Sequence, residues 1–314
     1  MTPDQITYLV FGIVIVLSII IDLSMFTKKD AAISLKMALW TSIFWITLGL
    51  AFGIFVWFEK GYTATLEYFS AYLMEKSLSI DNIFVFVLIF SVFRVKEEHL
   101  GRALFLGVLM AIILRIIFIT VGVALVEKFE WILYIFGAFL VYTGIKMFSS
   151  SKEKEFDPHK NLAYKFMKRF LPIVPHDGGG RYIIKEEGKT FYTTLFVVVV
   201  MLAVIDIVFA VDSIPAVMGI SRDKLIIYTS NIFAVLGLRS LFFLLRGAAN
   251  RFVYLQQGIS IVLIFIGIKM LAEIFYFHVP IYISLMVILI CIGGSIIYSI
   301  QNPVTKDEQG PMPK

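Results

Sequence analysis

Glu75-Lys-Ser-Leu-Ser-Ile-Asp81-Asn82 lies inside an apolar run, about residues 66–93, that is long enough to cross a membrane. Carboxylates at membrane depth cost about 2.5–3.5 kcal/mol each, so they usually face a cavity, a partner or an ion. The same pattern returns as Asp206-Ile-Val-Phe-Ala-Val-Asp212-Ser213 in a second apolar run near 192–218. Two copies of so costly an arrangement predict that the two runs share one function.

The composition of the chain is that of a membrane protein. Hydrophobic residues form 59% of its 314 residues and charged residues only 16%, whereas soluble domains carry about 25% charged residues. The apolar runs are longer than the roughly ten-residue alternating strands of a membrane barrel. We therefore predict an all-α polytopic membrane protein. The net charge of +5 needs no nucleic-acid partner, because membrane topology accounts for where the basic residues lie.

About nine apolar stretches are long enough to span a membrane, which predicts about nine transmembrane helices. They lie near residues 6–26, 37–58, 66–93, 101–126, 130–149, 192–218, 224–246, 253–276 and 278–300. Lysine and arginine concentrate in alternate connections, which predicts that the N-terminus is outside and the C-terminus inside. We expect the first run to remain as a helix, because Asp4 replaces the basic region of a signal peptide and no small-residue cleavage site follows.

Two parts of the chain repeat each other in order. Arg115 follows the first acidic motif and Arg239 the second, and Gly144-Ile-Lys-Met147 recurs as Gly267-Ile-Lys-Met270. Each copy spans three helices, and because three is odd the second copy must enter the membrane from the opposite side. The sequence therefore predicts two inverted three-helix repeats, an architecture that places a transporter's substrate site near the midplane.

The repeats divide the chain into five regions. They are an N-terminal two-helix segment, 1–65; the first repeat, 66–149; a cytoplasmic loop, 150–191; the second repeat, 192–276; and a final helix with a disordered cytoplasmic tail, 277–314. Within the loop, residues 162–171 predict an amphipathic basic helix for the inner membrane surface. Residues 182–192 predict a hairpin that turns at Glu187-Gly188. A solvated linker and a regulatory element are equal interpretations of this loop.

The two motifs supply oxygen ligands for a hard cation. On an ideal helix Glu75 and Asn82 share a face, whereas Asp81 lies about 120° away from Glu75. Both acids of a motif can serve one ion only where the helix is kinked or unwound, and Pro215 offers a means in the second motif. The predicted metal ligands are Glu75, Asp81, Asn82, Asp206, Asp212 and Ser213. This all-oxygen set suits Mn²⁺, Mg²⁺ or Ca²⁺.

Charged and polar residues near the motifs leave other interpretations open. The acids could instead pair with Lys76, Arg115 and Arg239 and only hold helices together. We expect Arg115 and Arg239 to have a gating, charge-balancing or structural role. Asp22 either lines an exit path or sits at the interface, and Asn231 is either a further ligand or a hydrogen-bond partner between helices. No nucleophile–base pair or histidine lies at membrane depth, so we expect neither an enzyme nor a bound cofactor.

The chain resembles the TerC family of integral membrane proteins, and more closely its Alx-type members, over roughly residues 5–300. The resemblance rests on the two acidic motifs, the second within residues 203–216, on Ile21-Asp-Leu23 and on the GIKM pair. It implies manganese efflux across a bacterial cytoplasmic membrane, with the acids of both motifs as metal ligands. The family name comes from tellurium resistance, which does not make tellurite the substrate.

The sequence thus predicts a secondary transporter that exports a divalent cation, most readily Mn²⁺, and exchanges it for protons. Without the cation the acids repel one another and hold protons, which the cation would expel. One alternative is a membrane scaffold that delivers metal to exported proteins, and another is an oxyanion transporter that uses Arg115 and Arg239. The expected partners are the ion and membrane lipid. The choice of Mn²⁺ over Ca²⁺ or Mg²⁺, the coupling ion, the direction, the oligomeric state and any secretion or membrane-protease machinery stay open.

Overall fold

The structure, a computed structural model, is mainly helical. It describes residues 3–26, 34–149, 162–186, 188–246, 254–277 and 279–302. The helices are α1 Pro3–Phe26, α2 Leu35–Lys60, α3 Tyr62–Val92, α4 Glu97–Lys128, α5 Ile132–Ser149, α6 Leu162–Phe170, α7 Thr194–Ile220, α8 Lys224–Val235, α9 Leu238–Leu245, α10 Leu255–Ala272 and α11 Ile281–Gln301. The strands are β1 Ile183–Glu186 and β2 Lys189–Tyr192, and a 3₁₀ turn, Glu273–Phe275, follows α10.

Capping residues explain where several helices begin and end. At the start of α2 the Ser34 side chain accepts a hydrogen bond from the Met37 amide, and at the start of α8 Asp223 Oδ1 accepts one from the Leu225 amide at 2.8 Å. Gly61 connects α2 to α3 with φ 85°, a backbone conformation that ends a helix and favours glycine. Because this connection is one residue long, α2 and α3 pack as neighbours.

Six helices are long and apolar enough to cross a membrane: α2, α4, α5, α7, α10 with its 3₁₀ turn, and α11. The pair α8 and α9 adds a seventh if it forms one bent span. α3 has 31 residues, but its composition alone does not identify it as a span, because it contains four charged residues, Glu67, Glu75, Lys76 and Asp81. In α1 the described apolar stretch, Leu9–Ser18, is short. The chain is therefore a multi-pass membrane protein with six or seven candidate spans, and the count of nine stays a prediction.

Helices from the two predicted repeats pack against each other. α3 packs on α7 and α8, α4 packs on α7, and α5 packs on α10. Small residues allow α5 and α10 to approach closely. A Cβ atom on Gly267 would lie 2.6 Å from the Gly137 carbonyl oxygen, and one on Gly144 would lie 2.8 Å from the Ser260 carbonyl oxygen. The two glycines of the GIKM pair thus lie where the repeats meet.

The helix that breaks is not one of the two motif helices. α7 continues through Pro215 and α3 continues through its acidic motif, so neither motif is unwound. The interruption lies between α8 and α9, where the axis bends by 41°. Gly237 there has φ 80°, in the left-handed region. A proline removes one hydrogen bond and a helix can absorb that loss, whereas a left-handed residue redirects the backbone.

The segment before α7 contains a short helix and a hairpin. α6 buries Met167 and exposes Phe166 and Phe170. β1 and β2 pair antiparallel, with Glu186 opposite Lys189. Glu187 of the predicted hairpin turn, residues 150–161 of the predicted loop and residues 303–314 of the predicted disordered tail lie outside the described residues.

Candidate functional site

Arg115 on α4 joins the first carboxylate of each acidic motif. Its Nε and Nη2 donate to the two carboxylate oxygens of Asp206 on α7, both at 2.9 Å, and its Nη1 donates to Glu75 on α3. All three residues are buried, with at most 1% of their surface exposed. We call these three residues the arginine cluster. Helices from both predicted repeats therefore meet at one set of buried charges.

The arginine cluster carries one more negative than positive charge when both acids are ionised. Its bidentate contact to Asp206 is the strong form of a charge-assisted hydrogen bond. Glu75 Oε2 is buried and has no hydrogen-bond partner in the described part of the chain. A buried acceptor without a partner costs free energy. The cluster therefore has an unused oxygen in addition to an unbalanced negative charge.

Asn231 on α8 completes the contacts of Arg115. Its Oδ1 accepts a hydrogen bond from Arg115 Nη1 at 3.3 Å, and its Nδ2 donates to the Ile227 carbonyl oxygen at 2.9 Å. The amide oxygen is thus engaged by the guanidinium. Of the two interpretations of Asn231, the structure shows the hydrogen bond between helices.

Lys76, next to Glu75, binds the break between α8 and α9. Its Nζ donates to the carbonyl oxygens of Ala234, at 3.0 Å, and Leu236, at 3.2 Å. Carbonyls at a helix C-terminus lack helical partners and carry the negative end of the helix dipole. Broken helices in transporters offer such carbonyls to cations. Here the lysine ammonium occupies them.

No hydrogen bond or ion pair joins the other ligand candidates to the arginine cluster within the described residues. Asp212 Oδ1 accepts a hydrogen bond from Thr143 on α5 at 3.4 Å. Asp212 is the sixth residue after Asp206, which is about 9 Å along the axis of α7. Asn82 Nδ2 and Ser213 Oγ are buried and have no hydrogen-bond partner within the described residues. The structure thus brings Glu75 and Asp206 together and directs Asp212 to a different helix.

Arg239 follows the second acidic motif as Arg115 follows the first. It is 4% exposed, and its guanidinium lies 5.4 Å from the centre of the Phe105 ring, a cation–π contact. Asp22 belongs to α1 and Asp81 to α3, but the side chains of both lie outside the described residues.

Arg115 occupies the position that a cation shared by Glu75 and Asp206 would take. Within the described residues, no three histidine, cysteine, aspartate or glutamate side chains converge on a metal position. A cation that bound the same carboxylate oxygens would compete with the guanidinium for them. The buried hydroxyls of Ser79 and Ser213, which lack partners in the same part of the chain, are further oxygens on the two motif helices.

Sequence reasoning missed the role of Lys76 and the position of the helix break. It considered Lys76 only as a partner for the acids. The available signal for the break was Gly237, which lies within an otherwise apolar run. The signal for the lysine was its charge at membrane depth, which requires a polar partner. Neither signal predicts that Lys76 binds the carbonyl oxygens of Ala234 and Leu236, because these two residues are distant from Lys76 in the sequence.

These features define a helical, multi-pass membrane protein with a buried charge cluster. The sequence profile of the Integral membrane protein TerC family matches residues 60–307. The chain therefore belongs to the TerC family.

Relatives share most of the length of the chain. It is 42% identical over 294 residues to the uncharacterized membrane protein STKORF319 of Myxococcus xanthus, covering 93% of this chain and 92% of that one. It is 41% identical over 287 residues to a Salmonella typhi protein named as a proposed membrane-bound redox modulator, Alx, covering 88% of each. An uncharacterized membrane protein of Rickettsia bellii is 40% identical over 281 residues, covering 90% of this chain and 92% of that one. No solved structure matches the chain.

Proposed function

We propose that this protein is a secondary transporter that exports a divalent metal cation, most readily Mn²⁺, from the cytoplasm in exchange for protons. One observation carries the proposal: Glu75 and Asp206, from different predicted repeats, meet at the buried Arg115. In transporters with inverted repeats, the substrate site lies where the repeats meet. A site whose carboxylates come from both predicted repeats can open to one membrane face and then to the other as the repeats move against each other.

The helix contacts support an inverted repeat. An in-plane twofold axis would exchange α3 with α7, α4 with the α8–α9 pair, and α5 with α10. Under this exchange the contact of α3 with α8 becomes the contact of α7 with α4, and both occur. The contacts of α3 with α7 and of α5 with α10 map onto themselves. With α1, α3 and the α8–α9 pair counted as spans, the chain would have nine, with its N-terminus outside and its C-terminus in the cytoplasm.

Arg115 provides a charge-balancing step for transport. With Arg115 in place, one of the two negative charges is compensated inside the membrane. A divalent cation carries twice the charge of a guanidinium and competes for the same oxygens. When the cation leaves, protons on the acids lower the negative charge until Arg115 returns. The unpartnered oxygen of Glu75, with Asp212, Asn82 and Ser213 on the same two helices, supplies further polar atoms along the path.

The charge of the arginine cluster favours a cation over an oxyanion. Two carboxylates for one guanidinium leave the arginine cluster negative, which would repel tellurite or a similar anion. The oxygen ligands suit hard cations, and the family resemblance adds manganese. The redox role in the name of the Salmonella relative belongs to that protein. In this chain Cys291 is the one cysteine, so no dithiol pair forms within it.

Flux of Mn²⁺ into liposomes that contain the purified protein tests the proposal. We expect uptake that depends on a pH gradient. Glu75→Gln, Asp206→Asn and Asp212→Asn should each lower the rate by about 10–100-fold, the loss of metal affinity typical when a supporting group is removed from a metal site. A metal panel with Ca²⁺ and Mg²⁺ measures selectivity, and thermal unfolding of each variant verifies that it is folded.

Glu273→Gln is the matched control, because it removes a partly exposed carboxylate that pairs with Arg222 at 2.6 Å. Its flux should stay near that of the unmodified protein. Unchanged flux in both Glu75→Gln and Asp206→Asn would remove the arginine cluster from the mechanism. If the unmodified protein moves no metal on its own, the scaffold that delivers metal to exported proteins becomes the better reading.

A further inference from the structure

A cavity of about 550 Å³ lies apart from the arginine cluster. Its walls come from residues 92–96, which connect α3 to α4, from α6, from residues 173–177 and from the first turns of α7. Pockets that bind small molecules have volumes of about 300–1,000 Å³. The predicted topology places this cavity at the inner membrane surface, on the same side as the basic loop.

The charged lining of this cavity is positive. Arg94, Lys96 and Lys168 line it, with Asp177 as the one carboxylate among the described lining residues. Lys96 Nζ lies 2.8 Å from Asp177 Oδ2, and this hydrogen bond raises the pKa of Lys96 and lowers the pKa of Asp177. Those two charges therefore persist and cancel. Arg94 and Lys168 have no ion pair within the described residues, so two positive charges remain and would repel a metal cation.

A third donor lies in the lining. His176 Nδ1 accepts a hydrogen bond from the Gly178 amide at 3.1 Å, which places the ring proton on Nε2 and makes Nε2 a donor. The position of Arg94 is fixed by the end of α3, where its φ of 49° forms a Schellman cap. In this cap the Arg94 amide donates to the Ser91 carbonyl oxygen and the Val95 amide donates to the Phe90 carbonyl oxygen.

Most of the remaining lining is apolar. Tyr164 of α6 lines the cavity with Phe93, and the two ring centres are 5.6 Å apart. On the opposite side of the same helix, Phe166 and Phe170 are 64% and 62% exposed, with ring centres 4.5 Å apart. A basic amphipathic helix with exposed aromatic rings is typical of proteins that lie in the membrane interface. The cavity thus combines phosphate-binding donors with apolar surface.

We propose that this cavity binds the phosphate headgroup of an anionic phospholipid from the inner leaflet. Arg94, Lys168 and the Nε2 donor of His176 bind the phosphate oxygens, and the apolar lining contacts the adjoining part of the lipid. Phe166 and Phe170 place the other side of α6 in the membrane interface. Free phosphate would satisfy the same donors but would leave the apolar lining without contacts. The site is independent of the acidic motifs, because its charge excludes the metal cation.

Lipid binding to the full-length protein in detergent tests this proposal. Dioleoyl phosphatidylglycerol is titrated against dioleoyl phosphatidylcholine, and retained lipid is counted by native mass spectrometry. Each basic residue near a membrane surface contributes about 1 kcal/mol, which is roughly fivefold in affinity. We therefore expect the double variant Arg94→Gln/Lys168→Gln to weaken phosphatidylglycerol binding by about 25-fold, with little change for phosphatidylcholine.

The matched control is Lys165→Gln/Arg169→Gln, which removes the same charge from the same region but from residues that do not line the cavity. This variant should keep most of the affinity. Equal weakening in both double variants would overturn the site, because it would show general attraction to the basic surface. Displacement of the lipid by inorganic phosphate at equal concentration would overturn the lipid assignment. Metal flux is not a readout, so a negative result leaves the transport proposal standing.

Discussion

At the scale of single residues, Arg115 has the largest energetic consequence. It is 1% exposed and contacts Glu75, Asp206 and Asn231, from three different helices. A buried ion pair contributes little net stability relative to apolar residues, but removing one partner leaves an uncompensated charge. The arginine cluster therefore makes folding depend on all of its members, whichever function it serves.

Replacing Arg115 with methionine should destabilise the protein by about 3–5 kcal/mol, because Glu75 and Asp206 would remain buried without a cation. Thermal unfolding in detergent, followed by tryptophan fluorescence, measures the loss. In the double variant Arg115→Met/Asp206→Asn one buried charge is also removed, so part of the stability should return.

Arg222→Met is the control for this prediction. Arg222 pairs with Glu273, and 60% of its side chain is exposed. Exposed ion pairs contribute about 0–1 kcal/mol, so its unfolding temperature should stay close to that of the unmodified protein. Equal shifts in unfolding temperature for Arg115→Met and Arg222→Met would show that the buried arginine cluster contributes no more to stability than an exposed ion pair.

At the scale of helices, glycine residues determine both the break between α8 and α9 and a close contact between α5 and α10. Gly237 redirects the chain between α8 and α9, where Lys76 binds the released carbonyls. Gly267 brings α10 against α5, as the small residues of membrane helices commonly do. Both the bend between α8 and α9 and the packing of α5 on α10 therefore depend on glycine residues.

Gly267→Ala should destabilise the α5–α10 contact by about 1–3 kcal/mol, because the added methyl would overpack the interface. Its Cβ would lie 2.6 Å from the Gly137 carbonyl oxygen and 2.8 Å from Val141. The control is Gly293→Ala in α11, where nothing lies within 4 Å of the added atom. That change should raise stability by about 0.5–1 kcal/mol through helix propensity. An unfolding temperature that rises in both variants would contradict the prediction that Gly267 is needed for the close packing of α10 on α5.

At the scale of the whole molecule, the transport proposal depends on orientation. Export from the cytoplasm through inverted repeats requires that the acidic motifs be reached in turn from each face. The distribution of basic residues predicts that the connection between α4 and α5 is outside and that the hairpin before α7 is inside. Glu130 and Lys185 are exposed residues in these two places.

Cysteine labelling in intact cells measures this orientation. In a Cys291→Ser background, Glu130→Cys should react with a membrane-impermeant maleimide, whereas Lys185→Cys should react only after the membrane is opened. Permeabilised cells supply the control, since both cysteines should then be labelled. The reverse pattern would place the C-terminus outside and invert the direction of the proposed export.

Local physical chemistry made several features readable from the sequence. Apolar runs of membrane length predicted a helical membrane protein, and the cost of charge within them directed attention to the four acids of the two motifs, Glu75, Asp81, Asp206 and Asp212. The spacing of Phe166 and Phe170 predicted an amphipathic helix, and the structure has α6 at that place. These inferences succeed because they depend on residues that are close in the chain.

The contacts of the charged groups were decided by tertiary structure alone. Periodicity gives the face of a helix on which a side chain lies, but the opposite helix depends on how the bundle packs. Only the assembled bundle unites Glu75 and Asp206 through Arg115, turns Asp212 towards Thr143, and directs Lys76 to the carbonyls of α8. The sequence by itself determined that charges lie inside a membrane bundle; the packing of distant helices determined their partners.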